Sequence, residues 1–380
     1  MRKETITSIL KVAKESGKHP LTITREFYSW NRQRCLNWNE YYNYEFERQS
    51  QEFKDNFLGV TEQGVYLELL NPFKYYILAR NKYLSHLLLE NAGITVPELY
   101  CFYNPENGDS ADPNISYDVD STLRILRKKE VSECVVKATE GSHGDSVFAV
   151  KNITYTDSDA LLETSDGKQQ KLSDILQQEP MLFEEKIKQS KQLSEFNASS
   201  INTVRFMTVL MPSGEAKVIA TFIKIGREGA FVDNAGSGGN IDAGVNPETG
   251  ELYGAMIFNG FRKTTSIDCH PDSGAQLNGT VIKNWNQICK EICRFQQRLS
   301  FLKAIGWDIA ITENGPVAIE INDFWDRTGQ LFIQRGWRNE IRECYFAWLE
   351  HNKKTGTEYK MGRTNPANVE LVSKFSSKIR

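Results

Sequence analysis

The sequence predicts an α+β protein of two or more lobes, with sheets in its middle and helices at both ends. Three observations carry this expectation. At 380 residues the chain exceeds the roughly 250 to 300 at which a single core stops growing. Through residues 27–57 aromatic and aliphatic side chains (Phe27, Trp30, Leu36, Trp38, Tyr41, Tyr42, Tyr44, Phe46) recur three and four apart among charges, which is a helical period. From residue 133 onward, runs rich in β-branched and aromatic residues alternate with turns, and Met211-Pro212-Ser213-Gly214 and Thr312-Glu313-Asn314-Gly315 read as hairpins.

Taken in order, residues 1–80 form a helical region whose rings either pack against the next lobe or offer a sugar-stacking platform; packing is the commoner use of such rings. A helix over residues 81–90 stops at Asn91-Ala92-Gly93, and Pro97 cannot continue it. Strands are expected over residues 133–138, 146–150, 181–185, 202–211, 217–225, 307–312 and 316–321, so the chain divides into a small lobe (81–183) and a larger one (184–351). Helices return over 285–299 and 339–351, and antiparallel hairpins between them argue for an α+β sandwich rather than a doubly wound sheet. The basic tail, 352–380, lacks apolar periodicity and reads as a loosely packed terminus.

With 40% hydrophobic and 25% charged residues and only 11 prolines, the composition excludes a collagen-like or disordered chain. Forty-six basic against 49 acidic residues leave a net charge of −3, so no global field draws the chain to nucleic acid or to an anionic membrane. No apolar run reaches the roughly 18 residues of a membrane span, and Met1 to Leu10 lack the core of a secretory signal, which makes the cytoplasm the expected location. The seven cysteines show no CxxC spacing, and Cys289 and Cys293 lie four apart in a helical stretch without a nearby His, so reduced, packed thiols fit better than disulfides or zinc.

Two constellations carry chemistry. In Val135-Val136-Lys137-Ala138-Thr139-Glu140-Gly141-Ser142-His143-Gly144 a strand ends in lysine and runs into a small-residue loop, so that backbone N–H groups and an ammonium can approach a polyphosphate. An ordinary tight hairpin with a solvated lysine would look the same. No GK[ST] follows, which excludes a Walker A loop, and His143 reads as a loop residue available to phosphate.

The second constellation runs from Gly306-Trp307-Asp308 through the Asn314-Gly315 turn to Glu320-Ile321-Asn322. Folding about the turn returns Glu320 to Asp308, and the period of two puts Glu320 and Asn322 on one face. Strand carboxylates among Ile309, Ile311, Val317, Ile319 and Ile321 need a cation or a charged partner, and three hard oxygen donors without His or Cys suit Mg2+. A structural ion pair is the competing reading. Between these segments, Met181-Leu182-Phe183-Glu184-Glu185-Lys186-Ile187 is an apolar strand ending in charge, suited to seating a flat base. Arg205 and Lys224 fall on the two strands of one expected hairpin, placed to clamp a γ-phosphate; Arg227 is as readily a solvated residue.

In this order, a phosphate-site lysine and glycine loop, a Glu-Glu hinge, a strand arginine and a terminal D…ExN hairpin resemble the ATP-grasp fold of carboxylate–amine ligases over about residues 81–337. More narrowly, SINTVRF, IKIGREGAFVDNAGSGG, His270-Pro271-Asp272 and GWDIAITENGPVAIEIN resemble the sugar-transfer-associated ATP-grasp enzymes, which tend to accompany polysaccharide biosynthesis. The resemblance implies ATP on Lys137 and Lys82, with Gly141, Ser142, His143 and Gly144 closing over its phosphates and Glu184, Glu185, Lys186 and Ile187 holding adenine. It implies one Mg2+ on Asp308 and Glu320 and a second on Glu320 and Asn322, with Mn2+ as a substitute, and Arg205, Lys224, Arg227 and Asn234 around the transferred phosphate. Many relatives carry an arginine two residues before the first metal Asp; here that position is Gly306, so Arg205, Lys224 or Arg227 must supply the charge.

The implied reaction is ATP-dependent amide formation through an acyl phosphate, from a small-molecule carboxylate and an amine of sugar or amino-acid type. A phosphotransferase with His270 or Asp233 as base, and a carbohydrate-binding scaffold using the aromatic N-terminal layer, are the alternatives.

Overall fold

The computed structural model describes residues 3–108, 110–140, 147–176, 179–229 and 239–357. Five helices come first: α1 (Lys3–Ser16), α2 (Pro20–Arg34), α3 (Trp38–Asn43), α4 (Gln51–Asn56) and α5 (Val60–Leu70). They are followed by α6 (Ile77–Arg80) and α7 (Lys82–Asn91). The first sheet contains β1 (Leu99–Tyr103), β2 (Ile115–Ser116), β3 (Cys134–Ala138), β4 (Val147–Tyr155), β5 (Ala160–Thr164), β6 (Gln169–Lys171) and β7 (Met181–Glu184), in spatial order β2-β1-β7-β3-β4-β5-β6. The helices α8 (Val119–Lys128) and α9 (Leu172–Ile175) contribute Leu123, Leu126, Leu172 and Ile175 to its core.

After α10 (Lys191–Ser194) the second sheet is built from β8 (Val204–Leu210), β9 (Ala216–Ile225), β10 (Ile241–Val245), β11 (Leu252–Phe258), β12 (Thr264–Ser266), β13 (Ala304–Thr312) and β14 (Gly315–Asn322). Its order is β12-β11-β10-β9-β8-β13-β14, antiparallel throughout. Both expected hairpins are present, β8–β9 and β13–β14. The remaining helices are α11 (Trp285–Arg298), α12 (Gly329–Phe332) and α13 (Arg338–Thr355).

Each face of the second sheet has its own core. On one face Val204, Phe206, Ile223 and Ile309 pack with Ile288, Ile292 and Phe295 of α11, which stand on a single helical stripe. On the other, Met207, Val209 and Phe222 meet Val65 and Leu67 of α5 and Trp337 and Ile341 at the start of α13. The N-terminal helices thus cover one end of the face from which Arg205 also projects, two residues from Met207.

The aromatic N-terminal region packs on itself: Tyr41, Phe46, Phe53 and Phe57 are buried in one cluster, with Phe46 and Phe57 edge-to-face at 5.0 Å. Every residue from Thr61 to Leu70 of α5 is buried, and two of its polar members pair with the C-terminal part of the chain. Gln63 donates from Nε2 to the Trp325 carbonyl at 2.7 Å, and Arg338 donates from Nε to Glu62 Oε2 at 2.8 Å. The tightest junction is at Gly336, where an added Cβ would lie 1.8 Å from the Asn56 carbonyl oxygen. Gly336→Ala is therefore expected to lower stability by about 3 kcal/mol or more, read as a fall in the urea midpoint at unchanged slope.

Candidate active site

Pairing across the second sheet aligns a row of charge on one face. Glu320 is the register partner of Asp308, Asp308 of Arg205, and Asp242 of Lys224. Arg205 donates to Asp308 through two parallel bonds, Nε to Oδ1 at 2.8 Å and Nη2 to Oδ2 at 2.7 Å, and Lys224 Nζ lies 2.9 Å from Oδ1. Burial opposes ionisation of Asp308, but the charge of Arg205 and then of Lys224 outweighs it and holds the carboxyl well below the usual carboxylate range. Arg205 likewise remains a cation against its own desolvation, because Asp308 faces it.

The Arg205 guanidinium lies beside Gly306: a Cβ there would be in ordinary contact with Nη1 at 3.6 Å and tight only against Trp325 Cβ at 3.3 Å. Asn322 completes the set, its Nδ2 3.5 Å from Asp308 Oδ2. Glu320 makes no hydrogen bond or ion pair with the described residues. Among the described residues there is no cluster of three His, Cys, Asp or Glu side chains placed for a metal. The donors here are two carboxylates and a carboxamide, a set of hard oxygens that fits Mg2+ when a ligand's own oxygens complete the shell.

A narrow cleft joins this row to the first sheet. Lys82, His86, Lys137, Glu184 and Glu320 line it with apolar walls from Leu89, Val96, Pro97, Ala318 and Ile319. Lys82 opens α7 behind an Asn81 cap, and Lys137 and Glu184 come from β3 and β7, which pair directly. Lys137 Nζ lies 2.6 Å from Glu184 Oε2. Glu184 is fully desolvated, yet Lys137 first and His86 next keep its carboxyl below the ordinary value.

Other expected residues lie apart from this group. Arg227 forms two bonds to Asp272, Nε to Oδ2 at 2.7 Å and Nη2 to Oδ1 at 2.6 Å, and its partly exposed pair does not touch Asp308. An exposed pair of this kind is worth little, so Arg227→Ala is expected to change stability by less than about 1 kcal/mol in a urea titration. Glu185 is exposed and accepts from the Glu98 amide at 3.3 Å, and Lys186 pairs with Glu133 at 3.2 Å. Ile187 follows them, half-buried. His270 is buried with Nε2 3.0 Å from the Gly226 carbonyl, which occupies the ring that a phosphotransferase base would need. Gly141, Ser142, His143, Gly144, Asp233 and Asn234 lie outside the described residues.

Two members of the site escaped the sequence reading. His86 stands one helical turn after Lys82, a spacing visible in the sequence once the helix is drawn. Asp242 is completely buried and reaches the row only through the β9–β10 register, which no local pattern announces.

A search of curated proteins gave no match. Solved structures similar to this chain include a biotin carboxylase from Campylobacter jejuni (10% identity, 70% of this chain, 46% of that one, TM-score 0.39). A D-alanine–D-alanine ligase from Bacillus anthracis (12%, 73% and 70%, TM-score 0.38) and a D-Ala:D-Ser ligase from Enterococcus faecalis (11%, 71% and 62%, TM-score 0.40) are also similar. The chain spans less than half the length of the biotin carboxylase. The model of the sugar-transfer associated ATP-grasp family matches residues 62–344, from inside α5 to the first half of α13, and the chain belongs to that family.

Proposed function

We propose that this protein is an ATP-dependent ligase that joins a small-molecule carboxylate to an amine through an acyl phosphate. The observation that carries the reading is the charged row opening onto the cleft of Lys82 and Lys137, with Glu320 beside Asp308 and making no hydrogen bond or ion pair among the described residues. Family membership supports nucleotide use by that cleft.

In this scheme Lys137 and Lys82 bind the nucleotide phosphates, and Glu184 with the following hinge residues borders the base. Asp308, Glu320 and Asn322 would hold two Mg2+, which offset charge on the phosphates and orient them. Arg205 and Lys224 sit where negative charge grows as the γ-phosphoryl group moves to the substrate carboxylate. A guanidinium already held by Asp308 through two bonds needs no reorganisation at the moment of transfer. The amine then takes the acyl group and phosphate leaves. A sugar acid or amino acid as carboxylate donor, in polysaccharide or natural-product biosynthesis, accords with the family description.

The test is phosphate release from Mg-ATP across pairs of uronic acids, amino acids and amino sugars, with product masses. A product equal to both substrates less water, with ADP, is expected; a phosphorylated single substrate would replace the ligase by a kinase. Glu320→Gln changes a charge but little volume, and should lower turnover by about a hundredfold or more with an unchanged melting curve. Normal turnover in that variant would remove the metal assignment.

A further inference from the structure

The small net charge of the chain conceals a local asymmetry near its start. Residues 5–34 carry six lysines and arginines against two glutamates, whereas the whole sequence has 46 basic and 49 acidic residues. Both glutamates are matched by cations from later segments: Glu15 accepts from Arg262 Nη2 at 2.9 Å, and Glu26 lies 2.6 Å from Lys54 Nζ. Lys14, Arg25 and Arg32 are exposed and make no ion pair with a described residue.

The same two helices concentrate apolar exposure. Of the nine large apolar side chains exposed among the described residues, four stand on α1 and α2: Ile6, Leu10, Leu21 and Tyr28, each between 45% and 60% exposed. Scattered singly they would need no explanation, but their spacing is regular. Ile6, Leu10 and Lys14 follow at intervals of four on α1, and Leu21, Arg25, Tyr28 and Arg32 at four, three and four on α2. Each helix thus shows an exposed stripe that mixes apolar and cationic groups. The helices meet the N-terminal core through other residues, Ile9, Val12 and Ala13 of α1 and Ile23 and Phe27 of α2, so both stripes stay outside it.

We propose that α1 and α2 dock on an anionic lipid surface, with Ile6, Leu10, Leu21 and Tyr28 entering the headgroup region and Lys14, Arg25 and Arg32 facing lipid phosphates. Charge decides among the occupants. A second copy of this face would set cations against cations, and nucleic acid would offer its phosphates to the cations but nothing to the aliphatic side chains. An anionic bilayer meets both needs: it buries apolar area at the interface, and each nearby cation strengthens binding about fivefold. No described helix is long and apolar enough to cross a membrane, so the contact proposed is with the surface.

The experiment sediments the full chain with vesicles of phosphatidylglycerol in phosphatidylcholine and with vesicles of phosphatidylcholine alone. Binding to the first, weakened by added salt, is expected, with affinity for the second at least about tenfold lower. Leu10→Gln with Leu21→Gln, and separately Arg25→Gln with Arg32→Gln, should each lower affinity for the anionic vesicles about tenfold or more. All four side chains are exposed, so the urea midpoint should stay where it is. Equal binding to both vesicles would overturn the proposal by removing the role of charge. Unchanged affinity in either double variant would overturn it by placing the contact elsewhere on the chain. Absence of binding to the anionic vesicles would also overturn it and leave an acidic protein as the occupant of this face.

Discussion

Asp308→Asn is expected to abolish turnover and to destabilise the fold by about 3 to 5 kcal/mol. The carboxylate is the shared counter-ion of two buried cations, Arg205 and Lys224, whose side chains are 14% and 8% exposed. An amide of the same shape would leave both without a negative charge, in a setting where water cannot replace it. The double variant Asp308→Asn with Lys224→Met should recover part of the loss, because it removes one uncompensated cation; purely additive effects in that cycle would separate the two residues energetically. The pH dependence has a definite sign. The folded-state carboxyl titrates below its unfolded value, so its contribution is fully present above about pH 4 and is lost as acid protonates it. The stability gap between the unsubstituted chain and Asp308→Asn should therefore narrow in denaturant titrations as pH falls below that value.

Lys137→Met should act on binding and stability together. It removes the cation 2.6 Å from Glu184 and leaves a carboxylate in the cleft wall with only His86 near it, a loss of about 3 kcal/mol or more if Glu184 stays charged. Protonating Glu184 relieves the penalty. The variant should then be weakest near neutral pH and approach the parent as pH falls toward the carboxylate range, the reverse of a general acid instability. Nucleotide affinity should drop at least about tenfold through the lost phosphate contact. Unchanged affinity with reduced stability would make Lys137 a partner of Glu184 alone.

How far the sequence revealed this site depends on how local each signal is. The β13–β14 hairpin was legible because one Asn-Gly turn and a period of two place Asp308, Glu320 and Asn322 without reference to the rest of the chain. The pairing of Arg205 with Asp308 was not, since it depends on β8 lying beside β13 across about a hundred residues. The expectation that Arg205, Lys224 or Arg227 compensates for Gly306 was open among three cations. Two of them converge on Asp308, while Arg227 is held by Asp272, a partner that its own segment does not foreshadow. The strands β1, β2, β5, β6, β10, β11 and β12 went unpredicted, several being short or polar: β6 reads Gln-Gln-Lys and is exposed at every position. In such strands neighbours, rather than side-chain pattern, impose the conformation.

The Gly336–Asn56 contact separates two kinds of boundary. The family match starts at residue 62, yet Asn56 Nδ2 donates to the Gly336 carbonyl at 2.9 Å and its side-chain oxygen accepts from the Asn339 amide at 2.7 Å. The Leu58 amide likewise donates to Gln330 at 2.8 Å. A chain cut at the edge of the shared sequence would lose the partners of the Gly336 carbonyl, the Asn339 amide and the Gln330 side chain, and would remove Leu58 from the cluster that holds Trp337. What is inherited as a family therefore begins later than what packs together, and the segment of Asn56 and Leu58 belongs to the same folded body as the helices it ties down.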